Sequence, residues 1–103
     1  MPRKSLAETY YEETEEREDE AGEIYLVIYD FSFKPNPRFW ANLNRLKSLL
    51  GDASLIQYSV FKTGKVRGAM TAVKLARHYG AQVMVFKGEP LDIDQEQDSH
   101  MLN

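Results

Sequence analysis

Hydrophobic and polar positions between residues 23 and 88 predict three strands and two helices. The first strand runs from Ile24 to Tyr29 and contains only β-branched, aromatic and leucine side chains. This composition indicates that both faces of the strand are covered, which is typical of a strand in the centre of its sheet. The strand ends at Asp30.

The first predicted helix begins after a short loop. Asn36 is a favourable N-cap residue, and Pro37 suits the first helical position, where its missing N–H costs nothing. Apolar residues repeat at spacings of four, three and four from Phe39 to Leu50, so they form one apolar stripe. Gly51 suits the left-handed conformation that ends many helices.

The second half of the body predicts two more strands and one more helix. Residues 55–62 alternate as a strand, the second helix starts near Lys65 and ends at Gly80, and residues 82–86 form the third strand. The more apolar of the two alternating sets in residues 55–62 is expected to face the core; its members are Ile56, Tyr58, Val60 and Lys62.

The order β-α-β-α-β fits two architectures. One is a small parallel sheet with helical crossovers. The other is an α+β, ferredoxin-like β-α-β-β-α-β sandwich, in which residues 54–63 bend into two short strands. A parallel sheet needs helices on both faces, so two helices and a small core favour the antiparallel alternative.

The size of the body predicts a partner. Residues 23–88 form the folding unit of a chain of 103 residues, and a body that small buries roughly 60% of its unfolded surface. The chain has no cysteine, so neither disulfides nor thiolate metal sites reinforce it. Oligomerisation is the remaining common remedy, and we expect a symmetric homodimer.

Charge is sorted along the chain into three blocks. Residues 1–22 carry a net charge of −5, residues 23–88 carry +7, and residues 89–103 carry −5. The basic body indicates a polyanionic partner, with nucleic acid as the first hypothesis. The alternative is a solvated basic surface offset by solubilising tails.

Both acidic ends are expected to lie outside the compact body. Residues 1–22 predict a disordered or fraying helical segment, although Ser5 and Glu8 have the spacing of a capping box. Residues 89–103 predict an acidic tail, in which Leu91 and Ile93 suit a short edge strand. One hypothesis is that an acidic tail folds over the basic body and competes with nucleic acid.

No stretch of the sequence has the features of a secretory signal or of a membrane helix. The longest apolar run is far shorter than the ~20 residues that a membrane helix needs. Together with the absence of cysteine, this pattern predicts a cytoplasmic protein that does not bind membranes.

Five cations are candidates for binding a phosphate backbone. Helix N-termini bind phosphate through backbone N–H groups and the helix dipole, and basic side chains surround Thr63 and Gly64 at the start of the second helix. The alternative is an ordinary helix start with a solvent-exposed face. The candidates are Lys62, Lys65, Arg67, Lys74 and Arg77.

Asp30 is the candidate metal ligand and catalytic residue. It follows an apolar strand directly and should lie at the rim of the sheet, where a carboxylate can bind a hard cation such as Mg²⁺. One carboxylate makes a poor site, whereas two copies brought together by a two-fold axis make a better one. The alternative is that Asp30 caps the following loop by accepting backbone N–H bonds.

Two short motifs carry a family resemblance. They are Tyr29-Asp30-Phe31-Ser32 and Gln57-Tyr58-Ser59-Val60-Phe61, with Asp30 and Gln57 27 residues apart and one amphipathic helix between them. On these motifs the body, residues 23–88, resembles the CRISPR-associated protein two family, the small partner of the spacer-integration complex.

The resemblance implies a ferredoxin-like homodimer that binds nucleic acid. Members that cut RNA or double-stranded DNA hold Mg²⁺ at the first-strand Asp near the dimer axis, which corresponds to Asp30. Ser32 lies beside that position and Phe61 on the adjacent strand, so both become supporting residues. Many members bridge a DNA duplex while a larger integrase subunit cuts and joins.

The chain departs from the family pattern after Ser32. Residues 33–37 contain a lysine and two prolines where members often carry further acids. This difference favours nucleic-acid binding over Mg²⁺-dependent endonuclease activity. Two other functions stay open: a non-catalytic protein–protein interaction module that uses its acidic tails, and a small-molecule regulatory domain of the same fold.

Overall fold

The computed structural model describes residues 4–93, which form three helices and one four-stranded antiparallel sheet with strand order β2-β3-β1-β4. The α+β class is confirmed, and residues 54–63 form two strands. The parallel alternative is therefore excluded. The elements are α1 (Leu6–Glu13), β1 (Ile24–Asp30), α2 (Pro37–Leu50), β2 (Ser54–Gln57), β3 (Val60–Thr63), α3 (Val66–His78) and β4 (Gln82–Gly88).

Local signals set the bounds of α2. The side chain of Asn36 accepts a hydrogen bond from the Arg38 N–H at 2.9 Å, and Pro37 occupies the first turn. At the other end, Gly51 adopts a φ of 78°, and its N–H donates to the Lys47 carbonyl at 2.9 Å. Both ends of this helix therefore agree with the sequence prediction.

The helices cover one face of the sheet. Tyr25, Val27 and Tyr29 of β1 are buried in the core with the apolar stripes of α2 and α3. The alternate residues of β1 point to the opposite face and are half-buried; they are Ile24, Leu26 and Ile28. The prediction that both faces of β1 are covered is therefore wrong for a single protomer. We call the uncovered side the open face.

The predicted orientation of residues 55–62 is wrong for Leu55 and for the residues of β3. Leu55 pairs with Phe61, and both pack on the core side, where Phe61 is fully buried. Val60 and Lys62 point to the open face, because they pair with Ile28 and Leu26. The set does not stay together, because a bulge between Leu55 and Gln57 breaks the alternation and brings Gln57 opposite Val60. Tyr58 lies in the turn, with its ring centroid 5.9 Å from that of Trp40 of α2.

The N-terminal segment packs on the body, in contrast to the expected disordered tail. Ser5 caps α1 by accepting from the Glu8 N–H at 3.1 Å, which is half of the predicted capping box. Ala7 is fully buried, and its N–H donates to Asn42 Oδ1 at 2.9 Å. Leu6, Tyr10 and Tyr11 also pack against the core, so apolar and polar contacts together hold α1 against both α2 and α3.

The chain after β4 contributes no strand within the described residues. Leu91 and Ile93, which suited an edge strand, are exposed and unpaired in the sheet, and the rest of the predicted C-terminal tail lies outside the described residues. No helix among residues 4–93 has both the length and the apolarity that crossing a bilayer requires.

Close packing between α2 and α3 depends on Gly68. This residue is buried in α3, and a Cβ atom built there would lie 2.5 Å from Leu50 Cδ1 and 2.7 Å from Leu50 Cδ2. Distances this short are steric overlaps, so the absence of a side chain at position 68 allows the end of α2 to seat against α3.

Replacing Gly68 by Ala should lower the free energy of unfolding by about 1–3 kcal/mol, because overpacking outweighs the better helix propensity of alanine. Urea denaturation followed by circular dichroism measures this change. Adding Leu50→Ala provides the control: the double variant should lose less stability than the sum of the single variants, since the overlap is then relieved. An unchanged stability in Gly68→Ala would contradict the packing argument.

Candidate metal and nucleic-acid site

Asp30 lies at the carboxyl end of β1, on the open face. It pairs with Gln82 of β4, and its side chain lies on the same face of the sheet as those of Leu26 and Ile28. Asp30 is exposed, and its carboxylate accepts no hydrogen bond from any residue between 4 and 93. The loop-capping alternative for Asp30 therefore has no support in the described contacts. Ser32, the predicted supporting residue, is exposed in the following loop.

One protomer alone does not provide a good Mg²⁺ site at this carboxylate. Within residues 4–93, no three His, Asp or Glu side chains lie close enough together to hold a metal ion. Mg²⁺ in proteins is usually held by one or two carboxylates together with waters and substrate phosphates. Asp30 supplies a single carboxylate, so the donor set fits the metal only if a second copy contributes another.

Phe61 and Tyr29 lie on the other side of the sheet from Asp30. Phe61 is fully buried, and Tyr29 is buried among aromatic rings, with its ring centroid 5.2 Å from that of Phe39 and 6.4 Å from that of Trp40. Burial raises the pKa of the Tyr29 phenol. Both residues belong to the core, so neither presents a ring on which a base can stack.

The five candidate cations do not form a continuous strip. Lys62 points to the open face, whereas Arg77 is exposed near the end of α3. Lys65 Nζ donates to the Leu50 carbonyl at 2.6 Å and so satisfies an acceptor at the end of α2. Lys74 is half-buried on α3.

Arg67 is held by the N-terminal segment. Its Nε donates to the Tyr11 carbonyl at 2.9 Å, and its guanidinium carbon lies 4.1 Å from the centroid of the Tyr11 ring. Further along α3, Thr71 is buried, with its Oγ1 3.4 Å from Thr14 Oγ1. The side of α3 that carries Arg67 and Thr71 therefore faces α1 and Thr14, the residue that ends α1.

The N-terminus of α3 is occupied by two of the chain's own carboxylates. Asp52 accepts hydrogen bonds from Thr63 Oγ1 and from the Gly64 N–H, both at 2.8 Å. Asp19 Oδ1 accepts from the Val66 N–H, also at 2.8 Å. These carboxylates take the position in which a phosphate was expected. They come from 12 and 47 residues away in sequence, so no local pattern indicated them.

The structure places three exposed cations at the Asp30 end of the sheet, two of which the sequence did not single out. Lys34 lies in the loop after β1, Arg38 lies in the first turn of α2, and Arg77 lies in the last turn of α3. The loop and the end of α3 line one shallow cavity, through residues 31–36 and Tyr79.

None of these three side chains forms an ion pair with a residue between 4 and 93. We call Lys34, Arg38 and Arg77 the rim cations. Lys34 and Arg38 follow Asp30 by four and eight residues, and this proximity in sequence was the signal that could have identified them.

No family model, no curated protein and no solved structure matches this chain. The likeness to the CRISPR-associated protein two family therefore depends on the two short motifs alone. A functional assignment has to rest on the open face, the exposed Asp30 and the distribution of charge.

Proposed function

We propose that this chain is a nucleic-acid-binding protein of ferredoxin-like fold that acts as a symmetric homodimer. The body order β-α-β-β-α-β and the strand order β2-β3-β1-β4 support the ferredoxin-like assignment. The observation that carries the proposal is the apolar open face with Asp30 at its end. A larger integrase subunit is a further proposed partner, supported by the resemblance alone.

The centre of the open face is apolar. Ile28 pairs with Val60 on one side and Met84 on the other, and Leu26 pairs with Phe86. Met84 is 61% exposed and Phe86 is 49% exposed. Soluble monomers rarely expose a contiguous apolar patch larger than a few hundred Å², so this face is suited to a partner.

A second copy is the partner that this face fits best. The apolar centre is bordered by polar side chains, as in many protein interfaces. A two-fold axis places the same apolar centre on both sides of the interface, and two such sheets pack about 10 Å apart. The polar border consists of Ser54, Gln57, Lys62, Gln82 and Asp30.

The rim cations support nucleic acid as the ligand. They are exposed on a body that carries +7, and the dimer doubles them. Unpaired lysine and arginine side chains bind phosphates largely independently of base sequence, which suits a protein that holds a duplex. Because one protomer supplies a single carboxylate, we propose binding as the main activity and leave cleavage to a separate test.

Replacing Met84 and Phe86 by Glu should convert the dimer into a monomer, because four carboxylates would then face each other across the apolar centre. Sedimentation equilibrium of wild-type and variant protein measures the change. Met70→Glu, at an exposed apolar residue of α3 on the other side of the molecule, is the control and should stay dimeric. A wild-type protein that is monomeric at micromolar concentration would rule out the proposed dimer.

Replacing Lys34, Arg38 and Arg77 by Gln should weaken binding of a labelled DNA duplex by about tenfold or more at low salt. The slope of log affinity against log salt should also become shallower by about 0.9 for each phosphate that the variant no longer neutralises. Fluorescence anisotropy at several salt concentrations gives both quantities.

The matched control for this variant removes three cations elsewhere on the chain: Lys4→Gln, Lys47→Gln and Lys74→Gln. It should change the affinity several-fold less. If wild-type protein binds neither duplex DNA nor RNA at low salt, nucleic-acid binding is excluded, and the protein–protein interaction module becomes the leading function.

Asp30→Asn tests the endonuclease hypothesis. Any Mg²⁺-dependent cleavage of RNA or duplex DNA by the purified protein should disappear in this variant, while binding is retained or strengthened because a negative charge has been removed. Gel analysis of product formation with Mg²⁺ or with a chelator measures this. Cleavage that persists in Asp30→Asn would show that the carboxylate is not catalytic.

A further inference from the structure

The acidic residues between α1 and β1 lie over the start of α3. We call residues 15–20 the acidic strap; they are Glu15, Glu16, Arg17, Glu18, Asp19 and Glu20. All six are exposed, and none belongs to a helix or strand. The strap is therefore held to the body by individual polar contacts instead of by packing.

Three acids of the strap contact basic or donor groups of the body. Glu16 Oε1 lies 3.8 Å from Arg67 Nη1, and Glu20 Oε2 lies 3.6 Å from Lys87 Nζ. Between them, Asp19 accepts the hydrogen bond from the Val66 N–H at the first residue of α3. Two cations and a helix N-terminus are the groups with which proteins bind phosphate, so each acid of the strap replaces a contact that a nucleic-acid backbone can make.

The strap can leave the body without unfolding α1. The helix has its own attachments: Ala7 and Thr14 are buried, and Arg45 Nε donates to Glu8 Oε1 at 3.0 Å. The hydrogen bond from Arg45, and next that from Ser5, lowers the pKa of Glu8, so this ion pair persists to more acidic pH than an unshifted carboxylate would allow. The anchored helix also keeps the strap at a high effective concentration near α3.

We propose that the acidic strap is an internal competitor of nucleic acid. It covers Arg67 Nη1, Lys87 Nζ and the Val66 N–H in the free protein, and the phosphate backbone displaces it on binding. This inference rests on the proposed function. It explains why Arg67 and Lys87 are paired with acids of the strap while the rim cations form no ion pair with residues 4–93.

Displacement of the strap would free Arg67 Nη1, Lys87 Nζ and the Val66 N–H as a second area for phosphate, while Asp52 stays on the Gly64 N–H and the Tyr11 carbonyl stays on Arg67 Nε. The start of α3 lies beside the start of β1. Gly64 precedes α3 by two residues, Glu23 directly precedes β1, and a Cβ atom built at Gly64 would lie 3.6 Å from the Glu23 carbonyl oxygen. The rim cations lie at the other end of this seven-residue strand. Two areas separated by about 20 Å are within reach of one short duplex segment.

The test compares two charge-matched variants in the full chain. The strap variant is Glu16→Gln/Asp19→Ala/Glu20→Gln. The control is Glu13→Gln/Glu15→Gln/Glu18→Ala, which removes three nearby acids that form no ion pair with residues 4–93. Both variants raise the net charge from −3 to 0, so general electrostatic attraction increases equally in both.

A short fluorescein-labelled DNA duplex is the probe, titrated at about 50 to 200 mM salt. The strap variant should bind about three- to thirtyfold more tightly than wild type at the lowest salt, because exposed ion pairs are individually weak. Its salt slope should be steeper by about one to two, since the uncovered groups contact additional phosphates. The control should gain less than about threefold, with its slope unchanged.

Hydrogen exchange at the Val66 amide reports on the strap without any ligand. Exchange should be slow in wild type and in the control, and fast in the strap variant. A second variant controls for a loss of α3 stability: Asp19→Asn keeps a hydrogen-bond acceptor for the Val66 N–H. Combined with Glu16→Gln and Glu20→Gln, it should also raise the affinity for the duplex.

Three outcomes separate this inference from the proposed function. If wild type binds the duplex and the strap variant binds no more tightly than the control, the competitor role is overturned and the proposed function stands. Equal protection of the Val66 amide in all proteins would also overturn it. If no protein binds the duplex at low salt, the proposed function fails, whatever the exchange at Val66 shows.

Discussion

A sheet with helices on one side only has a second face that must meet either water or a partner, and much of this molecule follows from that constraint. Here the second face carries Leu26, Ile28, Met84 and Phe86 at its centre. Hydrophobic burial is the dominant favourable term in folding and in most protein–protein association. The same interaction therefore stabilises the core and favours covering the open face. The helix side is buried within the chain, whereas the open side is the surface on which we propose that a second copy packs.

Sequence reasoning succeeded where the physical cause is local. The Asn36 cap, the Gly51 terminator and the Ser5 capping residue each act within four residues of the groups they satisfy, so the chain displays them directly. The split of residues 54–63 into two strands was also predictable, because two helices cannot cover both faces of a sheet. The α+β class followed from these elements.

Sequence reasoning failed where a structural feature depends on residues far apart in the chain or on a surface that one chain leaves open. The alternation in residues 55–62 predicted two faces, but Val60 points to the open face and a bulge between Leu55 and Gln57 interrupts the alternation, so hydrophobicity alone selected the wrong side for β3. The hydrogen bonds of Asp19 and Asp52 to the start of α3 join residues 47 and 12 positions apart. The candidate cation Arg67 is occupied for the same reason, by the Tyr11 carbonyl 56 positions earlier.

The strap is fixed at both ends, which makes it a closed loop and not a free tail. Thr14 holds one end at α1, and the Glu23 N–H donates to the Glu20 carbonyl at 3.2 Å where the chain enters β1. Gly22, with a φ of 82°, forms the turn between strap and strand. The entropic cost of closing such a loop rises only slowly with its length, so inserting a few neutral residues would weaken the competition between strap and nucleic acid in small steps. Evolution could therefore adjust the ligand affinity of this protein through loop length, with every contact residue unchanged.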